Sequence, residues 1–215
     1  MLNLNLYDPT HYLSLELSLM FLKIIAVIII SLFSYKAYNI TKEKKHLIFS
    51  TAFITIFLAF ITKITSYYFF LKNMLCLGCI GYEKFFLFYF LYILLYILGS
   101  GILVLIYSEQ NDIVSLTFLG VLLFIISSMS ITNFTLFSGF EGLIFGFITL
   151  KIIEKYNITK NKNSIMAITG FGLLSTAHFL KAYYFYSPYI YVSGEILNII
   201  GYILISIVVF KIFNK

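Results

Sequence analysis

Apolar residues occur along the chain in seven long runs, each separated from the next by a short polar stretch. A bilayer core about 30 Å thick requires roughly 20 helical residues to cross it, and each run has about that length. The expected fold class is therefore all-α, a seven-helix transmembrane bundle in one domain over residues 1–215. The predicted segments are Leu17–Tyr38, Leu47–Phe70, Phe85–Tyr107, Ile113–Ser130, Phe134–Ile153, Ile165–Phe185 and Tyr189–Phe210.

The boundary between the fourth and fifth segments is the least marked of the six. Ile113–Ile153 contains 41 residues, which as one helix is about 60 Å long and exceeds a single crossing. Ser127–Asn133 is polar and interrupts this run. We therefore predict a turn there and two separate helices.

Lysine residues near the ends of the segments predict the orientation in the membrane, because cytoplasmic loops carry the excess of basic residues. Two lysines, Lys72 and Lys84, fall on one side. Ten fall on the other: Lys36, Lys42, Lys44, Lys45, Lys151, Lys155, Lys160, Lys162, Lys211 and Lys215. This distribution predicts a multi-pass protein of the cell membrane with its N-terminus outside and its C-terminus in the cytoplasm.

The composition agrees with a lipid environment. Only 11% of residues are charged and 61% are hydrophobic, whereas a soluble domain carries roughly 25% charged residues. We interpret the net charge of +6 as lysine on membrane-flanking loops, and expect no nucleic acid partner. The chain contains no phosphate-binding glycine loop, zinc-hydrolase motif or serine-hydrolase pattern, so we expect no enzyme activity, no catalytic residue, no metal and no cofactor.

A short sequence occurs twice. Tyr38-Asn-Ile-Thr-Lys42 recurs as Tyr156-Asn-Ile-Thr-Lys160, an offset of 118, and 11 of the 31 residues aligned from this point are identical. The alignment pairs the first two segments with the fifth and sixth in the same orientation. The repeat therefore predicts two parallel three-helix units joined by a linking fourth helix.

Extending the repeat to the third and seventh segments places Gly81-Tyr-Glu83 near Ser193-Gly-Glu195. In architecture alone, this arrangement resembles the SWEET sugar transporters, in which parallel repeats enclose the substrate site. Seven-helix sensor domains are an open alternative by the same kind of analogy.

Six ionisable residues lie within the predicted segments, where charges are rare because each costs at least a few kcal/mol at the bilayer centre. Counted from the outer end of each segment, they all lie about 6–10 Å deep. They are Lys23, Lys63, Glu141, His178, Lys181 and Glu195. Because five helices place an ionisable group at nearly one level, we predict a common polar layer around an outward-facing cavity.

Helical spacing adds detail to this layer. His178 and Lys181 are three residues apart and share a helix face, as do Glu195 and Asn198. With three lysines and two glutamates, the layer is expected to be slightly positive. The predicted ligand-binding residues are Lys63, Glu141, His178, Lys181, Glu195 and Asn198. The alternatives are lysine–glutamate pairs that only fix the helix register, and a proton relay.

Cys76 and Cys79 form a Cys-x-x-Cys sequence on the predicted outer side, between the second and third segments. In an oxidising compartment this pair can form a disulfide or exchange thiols. No further cysteine is present to relay electrons. We therefore interpret the two cysteines mainly as a structural disulfide or as free thiols, and thiol redox chemistry is the alternative.

The function expected from these features is a small-solute carrier or binding protein. Its partners would be the lipid bilayer, a small polar or anionic solute, and a second copy or another membrane protein. The main alternative is a seven-helix sensor or assembly subunit that signals through a partner. The third is a membrane thiol-redox protein that uses Cys76 and Cys79.

Overall fold

The computed structural model describes residues 9–75, 82–108, 133–183 and 187–213. Within these ranges the chain forms six helices and no strand. Each helix is long and apolar enough to cross a bilayer, which indicates a multi-pass membrane protein. The predicted fourth segment, Ile113–Ser130, lies outside the described residues. The helices are α1 (Pro9–Thr41), α2 (Lys44–Leu75), α3 (Tyr82–Ser108), α4 (Phe134–Thr159), α5 (Lys162–Ala182) and α6 (Pro188–Phe213).

Helix α1 is longer than its apolar run. It begins at Pro9, eight residues before the predicted start at Leu17. Proline is favoured in the first turn of a helix, because its fixed φ suits the helix and its missing N–H is not needed there. The extra turns bring Glu16 into the bundle, where it is buried.

Asparagine side chains cap the N-termini of two of the helices. The side chain of Asn133 accepts hydrogen bonds from the backbone N–H groups of Thr135 and Leu136, and that of Asn161 accepts one from Asn163. These bonds satisfy amides that have no partner within the helix. The polar stretch before α4 thus ends in a helix cap, which confirms the predicted start of the fifth segment.

The two copies of the repeated sequence have the same local structure. Lys42 and Lys160 both adopt a left-handed backbone, with φ of 59° and 51°. Each donates its backbone N–H, at 2.8 Å, to the carbonyl oxygen of the tyrosine four residues earlier, Tyr38 or Tyr156. Both copies therefore end a helix with the same αL turn.

The six helices pack as a ring. Going round the ring the order is α1, α2, α3, α4, α5, α6, and α6 closes the ring against α1. Of the described helices, each has its backbone close only to its two neighbours in this order, and side chains such as Tyr96 and Tyr202 meet across the middle of the ring. The ring therefore has a central axis toward which all six helices can direct side chains.

Glycines bring α2 against α3 and α5 against α6. A Cβ on Gly99 would lie 2.6 Å from Cγ1 of Ile56, and a Cβ on Gly201 would lie 2.8 Å from Cδ2 of Leu174. Ile56 and Leu174 are 118 residues apart in the sequence. The same small residue thus makes the same close helix contact in both halves, as packing in lipid favours.

The contacts of Gly99 and Gly201 correspond at an offset of 102 residues, which differs from the offset in the expected alignment of the third and seventh segments. That expectation matched Glu83 with Glu195, but Glu83 is exposed whereas Glu195 is buried. The difference arises because α2 continues to Leu75, about three turns past Lys63, whereas α5 ends at Ala182, directly after Lys181.

The bundle is apolar outside and partly polar inside. Leu32 and Leu143, in the middle of their helices, are 63% and 64% exposed, whereas Lys23 and Glu141 are 2% and 0% exposed. Lipid tails accept apolar side chains at no cost, so the polar groups gather where they can bond one another.

Candidate functional site

Every described helix contributes polar side chains to one buried cluster, which we call the polar layer. All of its members are less than one tenth exposed. The polar layer comprises Glu16, Lys23, Lys63, Tyr96, Ser100, Glu141, His178, Lys181, Tyr191, Glu195, Asn198 and Tyr202. The structure thus places all six predicted ligand-binding residues in the interior of the bundle.

Glu195 of α6 joins three helices. Its Oε2 accepts a hydrogen bond from Nζ of Lys23 on α1, and its Oε1 lies 3.4 Å from Nζ of Lys181 on α5. The Lys23 ammonium also lies 5.4 Å from the ring centroid of Phe60, within the range of a cation–π interaction. One carboxylate therefore balances two lysines.

Glu16 forms a second ion pair. Its Oε1 accepts hydrogen bonds from Nζ of Lys63 and from the hydroxyl of Tyr191, both at 2.7 Å. The Lys63 ammonium also lies 5.2 Å from the ring centroid of Tyr92. This pair ties α1 to α2 and α6.

Glu16 is not among the predicted ligand-binding residues, because it precedes the apolar run. A signal for it was present, since Glu16 lies seven residues before Lys23 and two helical turns place both on one face. With Glu16 included, three lysines meet three glutamates. Each of the three lysines bonds a carboxylate, of Glu16 or of Glu195.

His178 is the centre of a second hydrogen-bonded group within the polar layer. Its Nε2 lies 3.1 Å from the hydroxyl of Tyr96 and 3.3 Å from Nδ2 of Asn198. The Tyr96 hydroxyl also lies 2.8 Å from that of Tyr202. Which of these groups donates to Nε2 depends on the tautomer of the imidazole.

Glu141 differs from the other two buried glutamates. The Ser100 hydroxyl donates a hydrogen bond to its Oε1 at 3.0 Å. Its Oε2 has no hydrogen-bond partner among the described residues, and no described lysine or histidine forms an ion pair with it. Three further buried polar atoms lack a hydrogen-bond partner within the described part of the chain: Ser138 Oγ, His178 Nδ1 and Asn198 Oδ1.

A cavity of about 680 Å³ opens at the end of the bundle opposite to the one expected. It lies at the lysine-rich loop ends, with Lys45, Lys151 and Lys155 at its polar rim and Phe49 and Val209 among its apolar lining. The polar layer itself is closed to solvent in this structure, because its side chains are buried. The predicted cavity that opens outward from the layer is thus not the one found here.

Two phenylalanines separate this cavity from the polar layer. Phe53 and Phe171 are each 1% exposed and occupy equivalent positions of the repeat, 118 residues apart. Phe53 contacts Tyr202, with 6.5 Å between ring centroids, and Phe171 contacts Phe145, at 6.3 Å, whose ring in turn lies 5.5 Å from that of His178. Phe171 also lines the cavity, and the ring of Phe53 lies 4.9 Å from that of Phe49 in the cavity wall, so both rings lie between the cavity and the polar groups.

Cys76 and Cys79 lie outside the described residues, so their thiol chemistry stays a prediction. Within the described ranges, no three side chains of histidine, cysteine, aspartate or glutamate are grouped as a metal ion would require. Comparison of the chain with protein-family models, with curated proteins and with solved structures finds no significant match.

Proposed function

We propose that this chain is a carrier or binding protein for a small polar solute, which binds in the polar layer. The observation that carries the proposal is the set of four buried polar atoms without a hydrogen-bond partner among the described residues, on α4, α5 and α6. Buried polar groups in proteins are almost always bonded. A solute with complementary polar groups would satisfy these atoms.

The ion pairs of the layer are consistent with a role in fixing helix register, but the atoms without partners are not. A pair of bonded groups, such as Lys63 and Glu16, can fix the register of one helix against another. A buried polar group without a partner costs free energy and fixes no register. Glu141, His178 and Asn198 therefore support a binding site beside the structural pairs.

The ring order supports the internal repeat that the sequence predicts. When α1, α2 and α3 are matched to α4, α5 and α6, every helix contact in one half has its counterpart in the other. The two contacts between the halves, α1 with α6 and α3 with α4, also correspond. We propose two parallel three-helix units, with a linking helix at Ile113–Ser130 and the N-terminus outside the cell membrane.

The cavity and the two phenylalanines provide a route for the solute. We assign the cavity to the cytoplasmic side, because lysines lie at its rim. In this arrangement Phe53 and Phe171 close the inner path, and the buried ion pairs close the outer one. Rocking of one half against the other would open each side in turn.

A thermal-shift screen of the detergent-purified protein tests the binding site. The probes are sugars, carboxylates, phosphates, amines, metal ions and quinones, each added to the wild-type protein, to Glu195→Gln and to the exposed-site control Glu83→Gln. A solute at 100 times its dissociation constant adds about 2.7 kcal/mol of stability. We expect one class to shift the wild type and the Glu83→Gln control but not Glu195→Gln.

Uptake into sealed proteoliposomes then separates a carrier from a sensor or assembly subunit. Accumulation of the solute that shifts the melting temperature supports a carrier. Binding without accumulation would contradict transport and favour the sensor. If no solute class shifts the wild type, the proposed binding site is refuted.

A further inference from the structure

The three buried glutamates of the polar layer fall into two kinds. Glu16 and Glu195 each bond a lysine ammonium directly. Glu141 is 0% exposed and bonds the Ser100 hydroxyl, while its second oxygen has no hydrogen-bond partner among the described residues. A carboxyl group in such a place is more stable as the neutral acid than as an unpaired anion.

The helices that pack against α4 bring few charges to Glu141. From α3 it faces Ser100 and lies within electrostatic range of Tyr92 and Tyr96, which are neutral. α5 carries two buried ionisable groups, His178 and Lys181, and Lys181 is the cation whose charge acts on Glu141.

Lys181 is nevertheless committed elsewhere, since its ammonium bonds Glu195 at 3.4 Å. Tyr202, on α6, also lies within electrostatic range of Glu141 and is neutral. Residues 109–132 contain no lysine, arginine or histidine, so that segment supplies no cation whatever its position.

Lys181 can leave Glu195 without leaving that carboxylate unpaired. Lys23 also bonds Glu195, so this carboxylate keeps a cation if Lys181 moves away. Glu141 is the other buried carboxylate on which the charge of Lys181 acts. A shift of Lys181 from Glu195 to Glu141 would therefore leave both carboxylates paired.

We propose that Glu141 is a proton-binding site that couples proton movement to the opening of the polar layer. It holds a proton while the layer is closed, as in this structure. When the halves move and Lys181 pairs with Glu141, the carboxyl group releases its proton to water and becomes a carboxylate. This inference deepens the proposed function and depends on it for the coupling to a solute, but the proton itself is measured without one.

Infrared spectroscopy of the purified protein in lipid at pH 7 tests the assignment. A protonated carboxyl group has a C=O band that carboxylates lack and that shifts down in D₂O. We expect one such band in the wild type and in the exposed-site control Glu154→Gln, and its loss in Glu141→Gln. Ser100→Ala removes the hydrogen bond to Oε1 and should shift the band to higher frequency, which assigns it to Glu141 without removing the carboxyl group.

Three results would overturn the proposal. The first is the absence of a protonated carboxyl band at pH 7, and the second is its persistence in a folded Glu141→Gln protein. The third is disappearance of the band on replacing K⁺ by Na⁺ at constant pH, which would make Glu141 a sodium site. Because no solute is added, failure of the solute screen and failure of this test are separate outcomes.

Discussion

The ion pair between Lys63 and Glu16 offers the sharpest test of the polar layer. Both side chains are 4% exposed and their charged atoms are 2.7 Å apart. Lys63→Met leaves the Glu16 carboxylate buried without a cation, bonded by the hydroxyls of Tyr191 and Tyr67. Removing one partner of a buried pair costs about 3–5 kcal/mol, so we expect that loss in the free energy of unfolding.

The chain contains a matched control for this change. Lys151 and Glu154 form an ion pair at 2.8 Å on the surface, with side chains 36% and 64% exposed. Lys151→Met should cost less than about 1 kcal/mol, because water screens and solvates the exposed partner. The comparison separates burial from pair distance, which is nearly the same in the two pairs.

The double variant Glu16→Gln/Lys63→Met completes the test. Glutamine keeps an oxygen that accepts the Tyr191 hydrogen bond, and no buried charge remains unpaired. We expect most of the lost stability to return, with a coupling free energy of about 2 kcal/mol or more. The measurement is reversible unfolding in mixed micelles of rising denaturing-detergent content, followed by circular dichroism.

Two results would refute this reasoning. One is a cost for Lys63→Met no larger than that for Lys151→Met. The other is a double variant as unstable as the sum of its single changes. The solute screen repeated on the double variant then distinguishes the two roles of the pair, since a purely structural pair leaves the ligand-induced shift intact.

Two further predictions concern packing. Gly201→Ala should destabilise the protein by about 1–3 kcal/mol through overpacking, because its Cβ would lie 2.9 Å from a backbone oxygen of α5. Gly139→Ala is the control and should be neutral or stabilising, because its Cβ would meet no atom within 4 Å. Equal melting temperatures of the two variants would contradict this prediction. Phe53→Ala combined with Phe171→Ala should speed labelling of a cysteine at position 202, in a background without the native cysteines, by a membrane-impermeant maleimide added from the cytoplasmic side. An unchanged labelling rate would show that these rings do not close the path.

Six of the seven predicted segments correspond to helices in the described ranges. They could be predicted because polar side chains and unbonded backbone groups are costly in lipid, so a spanning segment is a long apolar run that forms a helix. The first and last residues of the helices are harder to predict from the sequence than the segments themselves. The start of α4 follows from a cap that the sequence shows at Asn133, whereas the early start of α1 at Pro9 lies in a stretch of mixed polarity. That difference is why Glu16 was missed.

The ionisable site residues are predicted from their depth, and Asn198 is predicted from its helical spacing to Glu195. A rise of 1.5 Å per residue gives the level of a charge once a segment's outer end is known, so Lys23, Lys181 and Glu195 could be assigned to one layer. Counting does not show which neighbour each residue meets. The sharing of Glu195 by two lysines and the lack of an ion-pair partner for Glu141 among the described residues became visible only in the folded bundle.

The sequence by itself thus determined that the chain lies in lipid, how many apolar segments it has, and how deep the charges lie in them. It also determined the repeated motif at Tyr38 and Tyr156. Each of these is a local property of the chain. The tertiary structure decided the ring order, the register of α3 against α2 and the partners within the polar layer. These depend on rotation about each helix axis and on close contacts such as those of Gly99 and Gly201, which arise from the packing of residues distant in sequence.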